Sequence, residues 1–121
     1  MTKNFKIEEF ECKCGCNMPN DVYVNIVKLA NQLQVIRDVI GQPIKLTNAY
    51  RCVEHNKSIG GVYNSQHILG KAADLKVKGL KPKELKLVIE TLIDNGEILQ
   101  GGVGIYNTFV HYDIRKTKAR W

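Results

Sequence analysis

Three residues in this sequence have side chains and spacings suited to binding a transition metal. His67 precedes a glycine turn at Gly70, Asp74 follows at the start of an apolar run, and His111 lies near the end of the chain. Imidazole nitrogen and carboxylate oxygen are good zinc ligands, and a catalytic zinc ion uses three protein ligands while one position stays open. The three residues are therefore predicted to hold one catalytic zinc ion, which would activate water and polarise a carbonyl group.

Two further side chains are candidates for catalysis. If residues 109–114 form a strand, His111 and Asp113 share one face, because side chains alternate along a strand. Asp113 is then interpreted as a partner of a metal ligand or as a general base on water, and an ion pair with Arg115 is the structural alternative. Arg51 is predicted to hold a substrate carboxylate or a developing oxyanion, although it could equally tie down its own loop.

The four cysteines leave several interpretations open. Cys12, Cys14 and Cys16 are too close in sequence to bridge easily to each other, but one of them could pair with Cys52. All four could instead hold a second metal ion as thiolates, although their spacing is tighter than the usual Cys-x-x-Cys knuckle. Reduced, buried thiols are the third interpretation, since the polar N-terminus shows no export signal.

Apolar spacing predicts two main helices, at residues 19–40 and 82–95. Residues 51–66 lack periodicity and are predicted to be an irregular loop on the substrate side. The order of the elements predicts a single α+β domain over residues 1–121 with a small, mostly antiparallel sheet. Its strands are predicted at residues 44–47, 72–77, 101–106 and 109–114, the last two forming a hairpin.

Composition and charge narrow the choice of partners. The chain has 121 residues, and no apolar run approaches the roughly 20 residues of a membrane span. The formal net charge of +6 favours anionic partners such as nucleic acid, a membrane surface or a cell wall. Nothing like a recognition helix or an aromatic stacking platform accompanies this charge, so nucleic acid is not expected as a partner. We expect a monomer that is made in the cytoplasm and reaches its target by a route the chain does not encode.

Several motifs, spread over nearly the whole chain, form a set. They are Cys-x-Cys-Gly-Cys at 12–16, Ala-Tyr-Arg at 49–51, Asn56, Gly-Gly at 60–61, Ser-x-His-x-x-Gly-x-Ala-x-Asp at 65–74, His-x-Asp at 111–113 and the closing Arg-Trp. This set resembles the zinc D-Ala-D-Ala carboxypeptidase family, which includes phage endolysin peptidases and shares a fold with the Hedgehog signalling domain. The resemblance implies that His67, Asp74 and His111 bind zinc and that Arg51 assists the substrate or transition state. It also implies hydrolysis of peptidoglycan stem peptides, by a carboxypeptidase or an endopeptidase. The small size and the lack of an export signal indicate a phage or prophage origin.

The sequence departs from this family in one respect that matters for catalysis. Several branches carry the general base as a Glu three residues before the last ligand or a His two residues before it. Thr108 and Phe109 occupy those positions here, and neither side chain can take a proton. Asp113 is the predicted substitute. The alternative function is a zinc-containing structural or wall-binding module that has lost catalysis, as in Hedgehog.

Overall fold

Two long helices and one five-stranded sheet form the framework of the computed structural model, which describes residues 1–121. The predicted α+β class with a mostly antiparallel sheet is confirmed. The elements are a 3₁₀ helix (Ile7–Phe10), α1 (Asn20–Ile40), β1 (Lys45–Asn48), α2 (Val53–Ser58), β2 (Ala72–Lys76), α3 (Pro82–Asp94), β3 (Gly102–Ile105), β4 (Val110–Asp113) and β5 (Ala119–Arg120).

The sheet places two of the predicted metal ligands side by side. Its strand order is β1-β2-β4-β3-β5, and only the β3–β5 pair is parallel. In the pairing of β2 with β4, Asp74 lies directly opposite His111. Residues opposite each other across a strand pair project from the same face, so their side chains can meet. On the other side of β4, Gly104 of β3 lies opposite His111.

The two long helices cover the face of the sheet that does not carry these residues. Alternation along β4 sends Val110 and Tyr112 into the hydrophobic core, whereas His111 and Asp113 belong to the opposite face. The apolar stripes of α1 and α3 complete this core. No helix of the structure is long and apolar enough to cross a membrane. The fully buried residues of α1 and α3 are Ile26, Leu29, Ala30, Leu33, Ile36 and Ile89.

Besides the short 3₁₀ helix (Ile7–Phe10), which was not predicted, two elements differ from the prediction. Residues 51–66 are not wholly irregular, because α2 forms within them and begins directly after Cys52. The Cys52 Sγ atom accepts a hydrogen bond from the His55 N–H at 3.4 Å, which caps a helix too short to show apolar periodicity. The second unpredicted element is β5, two residues long, which pairs parallel to β3. The predicted hairpin of β3 and β4 is confirmed.

Candidate metal centre and its cavity

Three potential ligand atoms converge where β2 and β4 meet the turn before β2. His67, Asp74 and His111 each offer one atom, and these atoms lie within 4.8 Å of one another. Asp74 Oδ1 is 3.3 Å from His67 Nε2 and also 3.3 Å from His111 Nδ1. Ligands bound about 2.0–2.1 Å from a tetrahedral zinc ion lie roughly 3.3–3.4 Å from each other. The structure thus brings together all three predicted ligands, and the two separations that involve Asp74 match those around zinc.

The second ring nitrogen of each histidine has a partner that fixes its protonation. His67 Nδ1 lies 2.7 Å from the carbonyl oxygen of Ala49, and His111 Nε2 lies 2.6 Å from Asp113 Oδ2. Both partners are acceptors, so in a neutral imidazole these two nitrogens carry the proton and donate it. His67 Nε2 and His111 Nδ1 are therefore left with free lone pairs that face Asp74, as a metal ligand requires.

Asp74 provides the clearest sign that a cation belongs at this position. Its Oδ1 atom is buried and has no hydrogen-bond partner, because the two imidazole nitrogens lie nearby without hydrogen-bonding geometry. Burial raises the pKa of Asp74, but attraction to the two imidazoles in their protonated form outweighs burial and lowers the pKa to about 2. An ionised, buried and unsatisfied carboxylate oxygen is costly unless a cation neutralises it. The residues present therefore fit zinc.

Asp113 lies behind His111 and does not reach the cavity. Its side chain is 0% exposed and accepts hydrogen bonds from the backbone N–H of Gly102 and from the Nε and Nη2 groups of Arg115, at 2.7–2.9 Å. Burial raises the pKa of Asp113, yet these hydrogen bonds and the one from His111 hold it well below its usual range. Asp113 therefore makes both contacts considered for it from the sequence, one with the predicted ligand His111 and one with Arg115. This geometry does not favour Asp113 as a general base, and its catalytic role stays a prediction.

The three ligand residues form part of the wall of a cavity of about 520 Å³. Arg51 also lines the cavity, and its Nη2 group donates to Ser65 Oγ at 3.0 Å. The Arg51 Nε atom is buried and has no partner. The guanidinium is thus anchored on one side by Ser65 in the wall of the cavity, where its positive charge can attract an anionic group.

A family model described as Peptidase M15 matches residues 3–113 of the chain. The chain belongs to the peptidase M15 family. This is a zinc D-Ala-D-Ala carboxypeptidase-type family, so the family named from the motifs is confirmed. The match includes all three converging ligand residues. No curated protein matches the chain at a significant level.

The cavity of this M15 peptidase offers no separate proton acceptor of the usual kind. Thr108 lies outside the lining, and Phe109 lines the cavity with its ring stacked on Tyr106, 4.5 Å between centroids. Apart from His67, Asp74 and His111, no lining side chain is a carboxylate or an imidazole. The departure seen in the sequence is therefore not compensated by another acid or histidine in the cavity.

Trp121 is a cavity residue that the sequence analysis did not single out as a site residue. Its ring centroid lies 4.9 Å from that of His111, and its Nε1–H donates to Tyr106 Oη at 2.8 Å. The Trp121 ring can lie here because Gly104 has no side chain. A Cβ atom at this position would collide with the ring. A glycine inside a strand signals a close approach of this kind, and Gly104 within the predicted hairpin was the available signal.

Proposed function

We propose that this M15 peptidase is a zinc-dependent hydrolase of peptidoglycan stem peptides, acting as a carboxypeptidase or an endopeptidase. The observation that carries the proposal is the convergence of three buried ligand atoms around an unsatisfied Asp74 oxygen, in the wall of an open cavity. Cavities of about 300–1,000 Å³ are typical of sites that bind small ligands, and this one falls within that range.

His67, Asp74 and His111 would hold the zinc ion. When bound, zinc would polarise a peptide carbonyl and make water acidic enough, with a pKa of about 7, to supply hydroxide at neutral pH. The protein contributes by fixing the three ligands before the metal arrives. The Ala49 carbonyl and the Asp113 carboxylate keep both imidazoles in the tautomer that directs a lone pair toward Asp74.

Arg51 is proposed to bind negative charge on the peptide. Its guanidinium is anchored by Ser65 and lines the cavity. Two groups on a stem peptide could pair with its positive charge: the C-terminal carboxylate, or the carbonyl oxygen that gains charge as the bond is attacked. The first would make the protein a carboxypeptidase by preference, and the second would serve either type of cleavage.

The remaining lining suits an extended peptide. Tyr106, Phe109 and Trp121 form an aromatic wall, and Asn48 and Gln66 place amide groups in the same cavity. Amide side chains can donate to and accept from peptide groups, while the aromatic rings contact the small apolar side chains of such peptides.

The proposed place of action is the bacterial cell wall, and the proposed origin is a phage or prophage. The net charge of +6 supports binding to an anionic envelope, because opposite charge speeds the encounter of two partners. We propose that the protein acts as a monomer without nucleic acid.

A second candidate function follows from the missing proton acceptor. A domain that keeps the zinc ion but lacks a general base would serve as a structural or wall-binding module. The absence of any further carboxylate or imidazole side chain from the cavity lining favours it.

Cell-wall zymography with purified protein separates the two candidates, and mass spectrometry of defined muropeptide digests identifies the bond. We expect wild type to clear the wall and shorten the peptides, and His111→Ala to do neither. His55→Ala is the matched control, because His55 lies in α2 and does not line the cavity. Wall binding without any cleavage by zinc-loaded wild type would favour the module instead.

A further inference from the structure

Four cysteine sulfur atoms meet at a second position, outside the cavity. Cys12, Cys14, Cys16 and Cys52 place their Sγ atoms within 4.8 Å of one another, and all four are free thiols. The closest separations are 3.3 Å for Cys12–Cys14, 3.5 Å for Cys14–Cys52 and 3.9 Å for Cys12–Cys52. Sulfur atoms bound about 2.3 Å from a tetrahedral zinc ion lie roughly 3.8 Å apart. We propose that these four thiolates bind a structural zinc ion, separate from the ion in the cavity.

The geometry favours a metal over the two other interpretations of the cysteines. A disulfide needs two sulfur atoms about 2.05 Å apart and would leave the other two cysteines without a role. Simple packing of buried thiols does not explain the cluster either, because Cys14 is exposed while Cys12 is buried. Four sulfur atoms around one point match a tetrahedral structural zinc site, in which protein ligands fill all four positions.

The backbone around the cluster is arranged to support thiolates. The N–H of Cys52 donates to Cys12 Sγ at 3.4 Å, and the N–H of His55 donates to Cys52 Sγ at 3.4 Å. Such hydrogen bonds offset the excess negative charge of four thiolates around a divalent cation and orient the ligands. Gly15, with a φ of 81°, closes a turn by donating its N–H to the Cys12 carbonyl at 3.0 Å. This turn lets the tight Cys-x-Cys-Gly-Cys spacing surround a single point.

The cluster lies next to the segment that carries Arg51. Cys52 follows Arg51 directly, and the N–H of Arg51 donates to the His67 carbonyl at 3.1 Å. Two residues earlier, the Ala49 carbonyl accepts the hydrogen bond of His67 Nδ1. Tyr50, between them, donates to the Phe10 carbonyl at 3.1 Å. A zinc ion joining Cys52 to the N-terminal cysteines would therefore hold in place the segment that positions both Arg51 and His67.

Elemental analysis of purified protein, combined with cobalt substitution, tests this site without any assay of activity. We expect wild type and His55→Ala to bind two zinc ions per chain and His67→Ala/His111→Ala to bind one. When loaded with Co²⁺, the double variant should show intense near-ultraviolet thiolate-to-cobalt charge transfer together with the visible bands of a tetrahedral site. Adding Cys14→Ser/Cys16→Ser to the His67→Ala/His111→Ala variant should abolish these bands.

Two measurements on unaltered protein keep the test independent of whether the cysteine variants fold. Thiol reagents should react slowly with the four cysteines until a chelator is added, and the intact mass should be that of four reduced cysteines. Rapid reaction of all four thiols in the zinc-loaded protein would overturn the proposal, as would a mass lowered by a disulfide. The zinc content and cobalt spectrum of His67→Ala/His111→Ala and the thiol results depend neither on the cavity site nor on cleavage, so failure of the hydrolase proposal would leave them unchanged.

Discussion

His111 Nε2 lies 2.6 Å from Asp113 Oδ2, while His111 Nδ1 faces Asp74 on the neighbouring strand. The two contacts use opposite sides of one imidazole ring. Asp113 is held in turn by Arg115 and by the Gly102 N–H. A chain of contacts thus runs from Arg115 through Asp113 to His111 and ends at the position where the metal would bind. We interpret Asp113 as a residue that positions His111.

Asp113→Asn should weaken zinc binding more than it weakens catalysis at saturating zinc. The amide removes a charged acceptor from His111, and loss of such a partner typically costs 10- to 100-fold in metal affinity. Zinc titration with a competing chelator measures the affinity, and cleavage at saturating zinc should recover to within about tenfold of wild type. Normal zinc affinity combined with loss of cleavage at every zinc concentration would instead identify Asp113 as the base.

Arg51→Ala should reduce the rate of cleavage by about 10²–10³-fold if Arg51 stabilises the developing oxyanion, since removal of one such donor has that effect. The loss should then appear in kcat and should be equal for a stem peptide and its C-terminal amide. If Arg51 binds the terminal carboxylate, wild type should discriminate against the amide and Arg51→Ala should not. Ser65→Ala, which removes the anchor at 3.0 Å, should cause a smaller loss of the same type. Unchanged kinetics for Arg51→Ala would leave it a purely structural residue.

Trp121→Ala and Gly104→Ala should impair the cavity in the same way. The Cβ atom added at Gly104 would displace the Trp121 ring from its place beside His111. We therefore expect the double variant to be no worse than either single variant, because two changes that remove one contact are not additive. Trp121→Phe keeps an aromatic ring but loses the hydrogen bond to Tyr106, and it should retain most of the activity. Fully additive losses would show that Gly104 and Trp121 act separately.

Zinc should raise the melting temperature more at high pH than at low pH. Burial lowers the pKa of His111, but its contacts with Asp113 and Asp74 outweigh burial and raise the pKa above the ordinary 6.5. Protonated His111 therefore stabilises the metal-free protein below pH 6.5, and this contribution is lost as the pH rises through the raised value. Zinc needs the unprotonated ring, so the gain in melting temperature should grow between about pH 5 and about pH 8.

Thermal unfolding with zinc and with a chelator measures this gain. His67→Ala/His111→Ala is the control, since any gain that it retains belongs to the cysteine cluster. A difference between wild type and this variant that does not change with pH would contradict the coupling of zinc to His111.

The parts of the fold that the sequence predicted are those with a local signal. The apolar spacing of α1 and α3 and the alternation in β4 can each be read from a short stretch of sequence, without knowledge of the fold. Alternation also correctly placed His111 and Asp113 on one face. In contrast, α2 has only six residues and is capped by a sulfur atom, and β5 exists only because β3 lies beside it.

The immediate surroundings of the ligands carried no such local signal. The Ala49 oxygen that fixes His67 is a backbone atom, which any residue could provide. The sequence allowed Asp113 to contact His111 or Arg115, but only the folded sheet shows that it contacts both and is closed off from the cavity. The contacts of Cys52 with Cys12 and Cys14, 40 and 38 residues earlier, likewise depend on long-range packing.

The rate of cleavage of one defined stem peptide, measured on chelator-treated protein before and after zinc is restored, tests the proposed hydrolase most directly. We predict that wild type loses cleavage with the chelator and regains it with zinc, as does the control Asp94→Asn, whose carboxyl group lies exposed at the end of α3. Asp74→Asn should stay inactive under both conditions, although it folds and keeps the metal of the cysteine cluster. Cleavage that persists without metal, or in Asp74→Asn, would contradict zinc hydrolysis at His67, Asp74 and His111.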